Sequence, residues 1–160
     1  MSVSVVSPRG VAGVAAPQRA LVHGALALEG RRPGEVAVVL ADDATLRGLN
    51  RQWRGLDRTT DVLSFGYDDG EDETVDGDVI VSLGRVREQA RRFRVTPGRE
   101  LARLVVHGAL HLAGLDHQGA GARRHMRARE ERVLRAAREA IAAADRALGQ
   151  SRPRASQPEG

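Results

Sequence analysis

The chain contains no cysteine and no lysine, and only four aromatic residues in 160 positions: Trp53, Phe65, Tyr67 and Phe93. Each shortage excludes something. Without cysteine there is no disulfide framework and no thiolate metal site, a composition that fits a reducing compartment. With so few aromatics, a core must be built from Val, Leu and Ala, and a broad base-stacking platform is not expected. All 25 basic residues are Arg, which places the isoelectric point near 11.0 although the formal net charge is only +4. That charge permits nucleic-acid binding without demonstrating it. No run of eighteen apolar residues occurs, and the first ten residues (MSVSVVSPRG) lack a basic, Leu-rich leader. The expectation is no signal peptide, no membrane partner and a cytoplasmic location.

What is present reads as one domain over residues 1–148, with a disordered tail over 149–160. Residues 2–6 and 35–40 suggest strands, as do 61–65 and 78–81. Helices are expected over 17 to about 29, from an Asp42 cap to about Trp53, over 82 to about 94 and over 99 to about 112. A single long helix is expected over 122–148. Residues 30–34 read as a turn, 68–76 as a solvated acidic loop without calcium-loop register, and Pro97-Gly98 as a break. The order β-α-β-α-β-β-α-α-α implies an α+β domain: a small mixed sheet of about four strands packed with about five helices.

Three of the five histidines fall within His107-Gly-Ala-Leu-His111-Leu-Ala-Gly114-Leu-Asp116-His117. His107 and His111 are one helical turn apart, about 6 Å on the same face. Gly114 suits a left-handed helix end, after which the chain can bring back His117. Three imidazoles converging on one point form a zinc-type site with a position left open for water, and so a site for chemistry. Zn, Ni, Cu or Fe would suit such donors. His23 and His125 read as ordinary helix residues. Asp116 could orient a ligand imidazole or cap the local turn. The spacing coincides with HExxHxxGxxH of the metzincin peptidases, except that Gly108 occupies the position of their catalytic Glu. A glycine takes no proton, which argues against an ordinary peptidase.

The stretch HGALHLAGLDH resembles the HGxLHLxGxDH signature of the YbeY family, bacterial endoribonucleases of ribosomal RNA maturation. Leu49-Asn50-Arg51-Gln52-Trp53-Arg54-Gly55 is similar to that family's LNxxYRG, and Thr60-Asp61-Val62-Leu63-Ser64-Phe65 to its TDVLSF. Gly77-Asp78-Val79-Ile80-Val81-Ser82 resembles GDIxIS, and Met126 with Glu130 and Glu131 resembles M-x3-EE. The blocks run in family order over residues 35 to about 134. Trp53 stands where the family has Tyr, and Gly66 where it often has Pro.

The resemblance implies a zincin-like fold with His107, His111 and His117 as ligands of one Zn2+ per chain, or of another transition metal such as Ni2+. It implies cleavage of single-stranded RNA, with ribosomal RNA and the ribosome as partners, in 16S rRNA 3′-end maturation and late-stage 70S quality control. No DNA partner is implied, and protein partners stay open. Arg54 sits where the family has an Arg important for catalysis, and its planar donor fork suits a phosphate. Metal coordination lowers the pKa of water, to about 7 in the best cases, which would assist phosphodiester hydrolysis. The arginines from Arg85 to Arg94 read as part of an RNA-binding face or as a solvated helix face. Two rival readings remain at this point: a peptidase-like metal hydrolase, and a non-catalytic ribosome assembly factor with a structural metal.

Overall fold

A computed structural model of the chain describes residues 2–67, 73–115 and 118–150, without the side chains of residues 12 and 150. The elements are β1 (Ser2–Val6), a 3-10 turn (Ala12–Val14), α1 (Ala15–Leu28), β2 (Arg32–Ala41), α2 (Asp43–Arg54), β3 (Val62–Gly66), β4 (Thr74–Ser82), α3 (Leu83–Phe93), α4 (Pro97–Leu112), α5 (Ala120–Ala136) and α6 (Arg138–Gln150). The four strands form one mixed sheet in the order β1-β2-β4-β3. β1, β2 and β4 are parallel, and β3 runs antiparallel along the β4 edge. The α+β expectation with a small mixed sheet therefore holds. Among the described residues no helix is long and apolar enough to cross a membrane.

Local chemistry explains most of the boundaries. Asp42 accepts from Thr45 N at 2.7 Å and starts α2, which ends at Gly55 in the left-handed region. Ser82 and Thr96 cap α3 and α4 in the same way, through Arg85 N and Arg99 N, each at 3.2 Å. Such caps satisfy amide groups that the first helical turn leaves without partners.

Five expectations are corrected. Pro97 does not break the chain; it is the first residue of α4, where its missing N–H removes nothing the helix needs. Pairing of β2 begins at Arg32, inside the expected 30–34 turn, with an irregularity between Pro33 and Val36. The Asp76 carboxylate, accepting from Glu35 N at 2.7 Å, seats that irregularity. β4 likewise begins at Thr74, within the expected acidic loop, of which residues 68–72 lie outside the described residues.

The expected single helix over 122–148 is two, parted at Ala137, so that six helices pack on the sheet. A straight helix of that length would reach about 40 Å. The break instead returns Ala144, Ala147 and Leu148 to the core. It also lets Asp145 accept from Gly98 N, at 2.6 Å, at the start of α4. Because α6 runs to Gln150, two residues of the expected tail are helical, and 151–160 lie outside the described residues.

α4 is the central helix. Leu101, Ala102, Leu104, Val105, Val106, Ala109 and Leu110 are all buried within one aliphatic core that includes Val36, Val38, Val79 and Val81 of the sheet. No aromatic residue belongs to that core, as the composition required.

Candidate active site

α4 crosses the β3–β4 edge of the sheet at very close range, and glycines permit it. A Cβ on Gly108 would lie 2.5 Å from Val79 Cγ1 and 3.1 Å from Ser64 Oγ. A Cβ on Gly77 would lie 2.5 Å from the Phe65 carbonyl oxygen and 2.7 Å from Leu112 Cδ2. Gly108 therefore does more than lack a carboxylate: no side chain fits there. The position that holds a general base in metzincins is occupied here by the sheet itself. Ser64 Oγ closes the contact by donating to Gly108 O at 3.3 Å.

This seating leaves His107 and His111 at the margin of the buried face, each half-buried, with ring centroids 5.2 Å apart. The two imidazoles meet as the one-turn spacing required. His117 and Asp116 lie outside the described residues. Among the described residues no group of three or more metal-binding side chains is gathered, and His107 and His111 are the two imidazoles brought together.

Behind the histidines is a buried carboxylate that the sequence reading quoted in a motif but gave no role. Glu130 Oε1, on α5, lies 2.6 Å from His107 Nδ1, and the Glu130 side chain is only 5% exposed. A carboxylate can only accept, so it fixes the proton on Nδ1 and leaves Nε2 as the nitrogen able to bind a metal. The signal for Glu130 was in the sequence. Met126, Glu130 and Val133 share the inward face of α5 at helical spacing, and a charge on an apolar stripe needs a partner. Its neighbour Glu131 is unrelated to the site and pairs with Arg99 at 3.1 Å.

Arg103 completes the backing. Its Nε is 2.5 Å from the buried Glu100 carboxylate. Burial disfavours its charge more than any other single cause, but the Glu100 hydrogen bond and the charges of Glu100, Glu130 and Asp61 together hold its pKa above the ordinary arginine value.

On the open side, His107 and His111 share a cavity of about 190 Å³ with Arg54, Thr60, Asp61, Val62 and Ser64. Three of the four residues proposed from the sequence for the site thus line or adjoin one space. Arg54 reaches it from the last turn of α2. Its Nη2 donates to Ser64 O at 3.5 Å, and its guanidinium carbon lies 6.0 Å from the Phe65 ring centroid. Among the described residues lining the cavity, Asp61 is the one carboxylate. A second hollow of about 170 Å³ adjoins His107 on its other side, lined by Arg103, Arg123, Met126, Arg127 and Glu130. A larger hollow of about 800 Å³ between α1 and α5–α6 is lined by no imidazole. Within the Arg85–Arg94 stripe, Arg85 is taken up structurally by Asp43, Thr59 and Glu88.

The donor chemistry fits a transition metal. Two neutral-capable imidazoles meet edge to face, one of them oriented by a buried carboxylate, as metal-binding histidines commonly are. The open side offers a guanidinium for an anionic substrate.

Comparison with known proteins agrees with this arrangement. Residues 16–138 match the family model described as Endoribonuclease YbeY. An Endoribonuclease YbeY of Pelotomaculum thermopropionicum is 49% identical over 106 residues, spanning 62% of this chain and 70% of the relative. One from Carboxydothermus hydrogenoformans is 45% identical over 105 residues, spanning 66% and 73%. A Thermotoga maritima protein whose solution structure is known superimposes with a TM-score of 0.63 at 26% identity, over 99% of both chains. With its zincin-like arrangement of a histidine helix laid on a mixed sheet, the chain belongs to the YbeY endoribonuclease family.

Proposed function

We propose that this protein is a metal-dependent endoribonuclease that cleaves single-stranded RNA, acting in 16S rRNA 3′-end maturation and late-stage 70S ribosome quality control in the cytoplasm. The observation that carries the reading is the convergence of Arg54, His107 and His111 on one cavity, in a chain whose relatives are named endoribonucleases. His107, His111 and His117 would hold one Zn2+, with Ni2+ as an alternative that imidazole donors also suit. Such a cation, when bound, supplies a nucleophilic water near neutral pH and polarises a phosphoryl oxygen.

The chain's own residues do the rest. Glu130 fixes the orientation of His107. Arg54 binds the phosphate through its planar fork and offsets charge that builds on it. Asp61, the one carboxylate among the described residues lining the cavity, is the group there that could take the proton Gly108 cannot. Water's oxygen would bond phosphorus as one P–O bond breaks, and the proton held by Asp61 would pass to the departing oxygen, which returns the carboxylate to its starting state. A peptidase reading is disfavoured because the sheet fills the place of a peptidase's glutamate.

The test is cleavage of single-stranded RNA and of casein by pure protein, with metal per chain measured by elemental analysis. The expected result is RNA cleavage alone, lost on chelation, restored by metal and absent in His111→Ala. Casein cleavage that depends on His111, or RNA cleavage indifferent to chelation, would overturn the reading.

A further inference from the structure

The four aromatic side chains are distributed in an unusual way. None is fully buried: Phe65 packs half-buried against a small cluster of Leu46, Leu63 and Ile80, while Tyr67, Phe93 and Trp53 are exposed, Trp53 by 65%. Trp53 is the chain's one tryptophan, and folding leaves most of its large ring in water at a lost hydrophobic gain. Its place is specific. Trp53 precedes Arg54 on the last turn of α2, which Gly55 ends in a left-handed turn. Its ring meets Phe65 of β3 edge to face, at 6.4 Å between centroids and 61° between planes. The Arg54 guanidinium packs near the same Phe65 ring. One half-buried phenylalanine therefore holds both side chains, and Arg54 opens into the histidine cavity.

We propose that Trp53 is a stacking site for one nucleobase of the RNA strand whose phosphate Arg54 holds. The proposal rests on the RNA-cleaving reading above and gives its single-strand preference a physical cause. A tryptophan has only two side-chain torsions, and Phe65 restrains them, so little freedom is lost when a base settles on it. Every base has a π-face, so the site accepts any sequence. Bases in a duplex already cover one another's faces and present none to a side chain. A single ring serves a single base, which is consistent with a chain too poor in aromatics for an extended platform. The neighbouring guanidinium supplies the phosphate contact that puts the strand in register.

Because Trp53 is the one tryptophan, its fluorescence reports on the site without any need for turnover. The probe is a short, single-stranded, phosphorothioate-linked RNA that resists cleavage, titrated into the metal-loaded full chain. Binding is followed in parallel by anisotropy of a label on the RNA. Quenching should saturate with the anisotropy. An abasic strand of equal phosphate number should bind more weakly and quench little, and a duplex should not quench. Trp53→Ala should weaken single-strand binding about five- to a hundredfold. It should leave metal content and melting temperature near those of the parent, and Trp53→Phe should recover most of the affinity. RNA that binds normally yet leaves the emission unmoved, or binds Trp53→Ala as tightly as the parent, would overturn the stacking site while sparing the RNA reading. It would also leave the exposed ring to a protein partner. Absence of any RNA binding by anisotropy would overturn both.

Discussion

The two walls of the histidine cavity are made of different material. The α4 wall is deep and dry: His107 is backed by the buried Glu130, and Gly108 is pressed against Val79 with no space for a methyl group. The side from α2 and β3 is solvated: Arg54, which lines the cavity, is exposed, and beside it, outside the lining, Trp53 is exposed and Phe65 half-buried. A metal site demands donors fixed to within a fraction of an ångström, which close packing supplies. A polymeric substrate with variable bases demands contacts that tolerate change, which exposed side chains on restrained stems supply. The division predicts that substitutions on one wall alter metal affinity and those on the other alter turnover or substrate affinity, with little exchange between them.

The sharpest way to break that division is at Arg54. If it touches only the substrate phosphate, Arg54→Ala should lower kcat for single-stranded RNA by about a hundred- to a thousandfold, the loss typical of one preorganised charge-stabilising group. Metal per chain and melting temperature should not change, because the side chain is exposed. Arg54→Lys should recover little, since a point charge lacks the planar fork. Loss of metal in either variant would show that the solvated wall also shapes the metal site.

On the other wall, Glu130→Gln keeps the shape and removes the charge that faces His107. Metal affinity should fall about ten- to a hundredfold, as expected when the partner of a ligating histidine is lost. Competition with a chelator measures it. At saturating metal, single-strand RNA affinity should match the parent. Unchanged metal affinity would mean that Glu130 is only a core ion-pair partner.

The same contrast explains what could be read from the sequence. Local chemistry was legible: the cap at Asp42, the one-turn histidine pair, and an aliphatic core forced by scarce aromatics. What depended on distant partners was not. Nothing near Ala137 in the sequence marks a break, because the break is set by where α6 must return to cover α1 and α4. Pro97 read as a breaker, although the same ring is favoured one position into a helix. Glu130 could be quoted in a motif, but its role needed the packing of α5 on α4. Trp53 could be noted as a substitution, but its exposure needed the fold. Gly108 was legible as a missing base and illegible as a packing requirement, since Val79 lies across the sheet edge.

Ser64 is the residue that touches both walls, and it offers the mildest test of their independence. Its hydroxyl donates to Gly108 O, while its backbone oxygen accepts from Arg54 Nη2. Ser64→Ala deletes only the first of these contacts. The Gly108 carbonyl keeps its place in the α4 hydrogen-bond ladder, so no buried acceptor is stranded. The loss should be about 0.5–1.5 kcal/mol of stability, the net value of one intramolecular hydrogen bond. That corresponds to a fall of a few degrees in melting temperature for a domain of this size, at about 2–4 °C per kcal/mol. Because the Arg54 contact is to the backbone, kcat should stay within about twofold of the parent, a difference worth well under 1 kcal/mol. A drop in kcat comparable to that of Arg54→Ala, without loss of metal, would show that the serine hydroxyl itself acts on the substrate and that the two walls work as one surface.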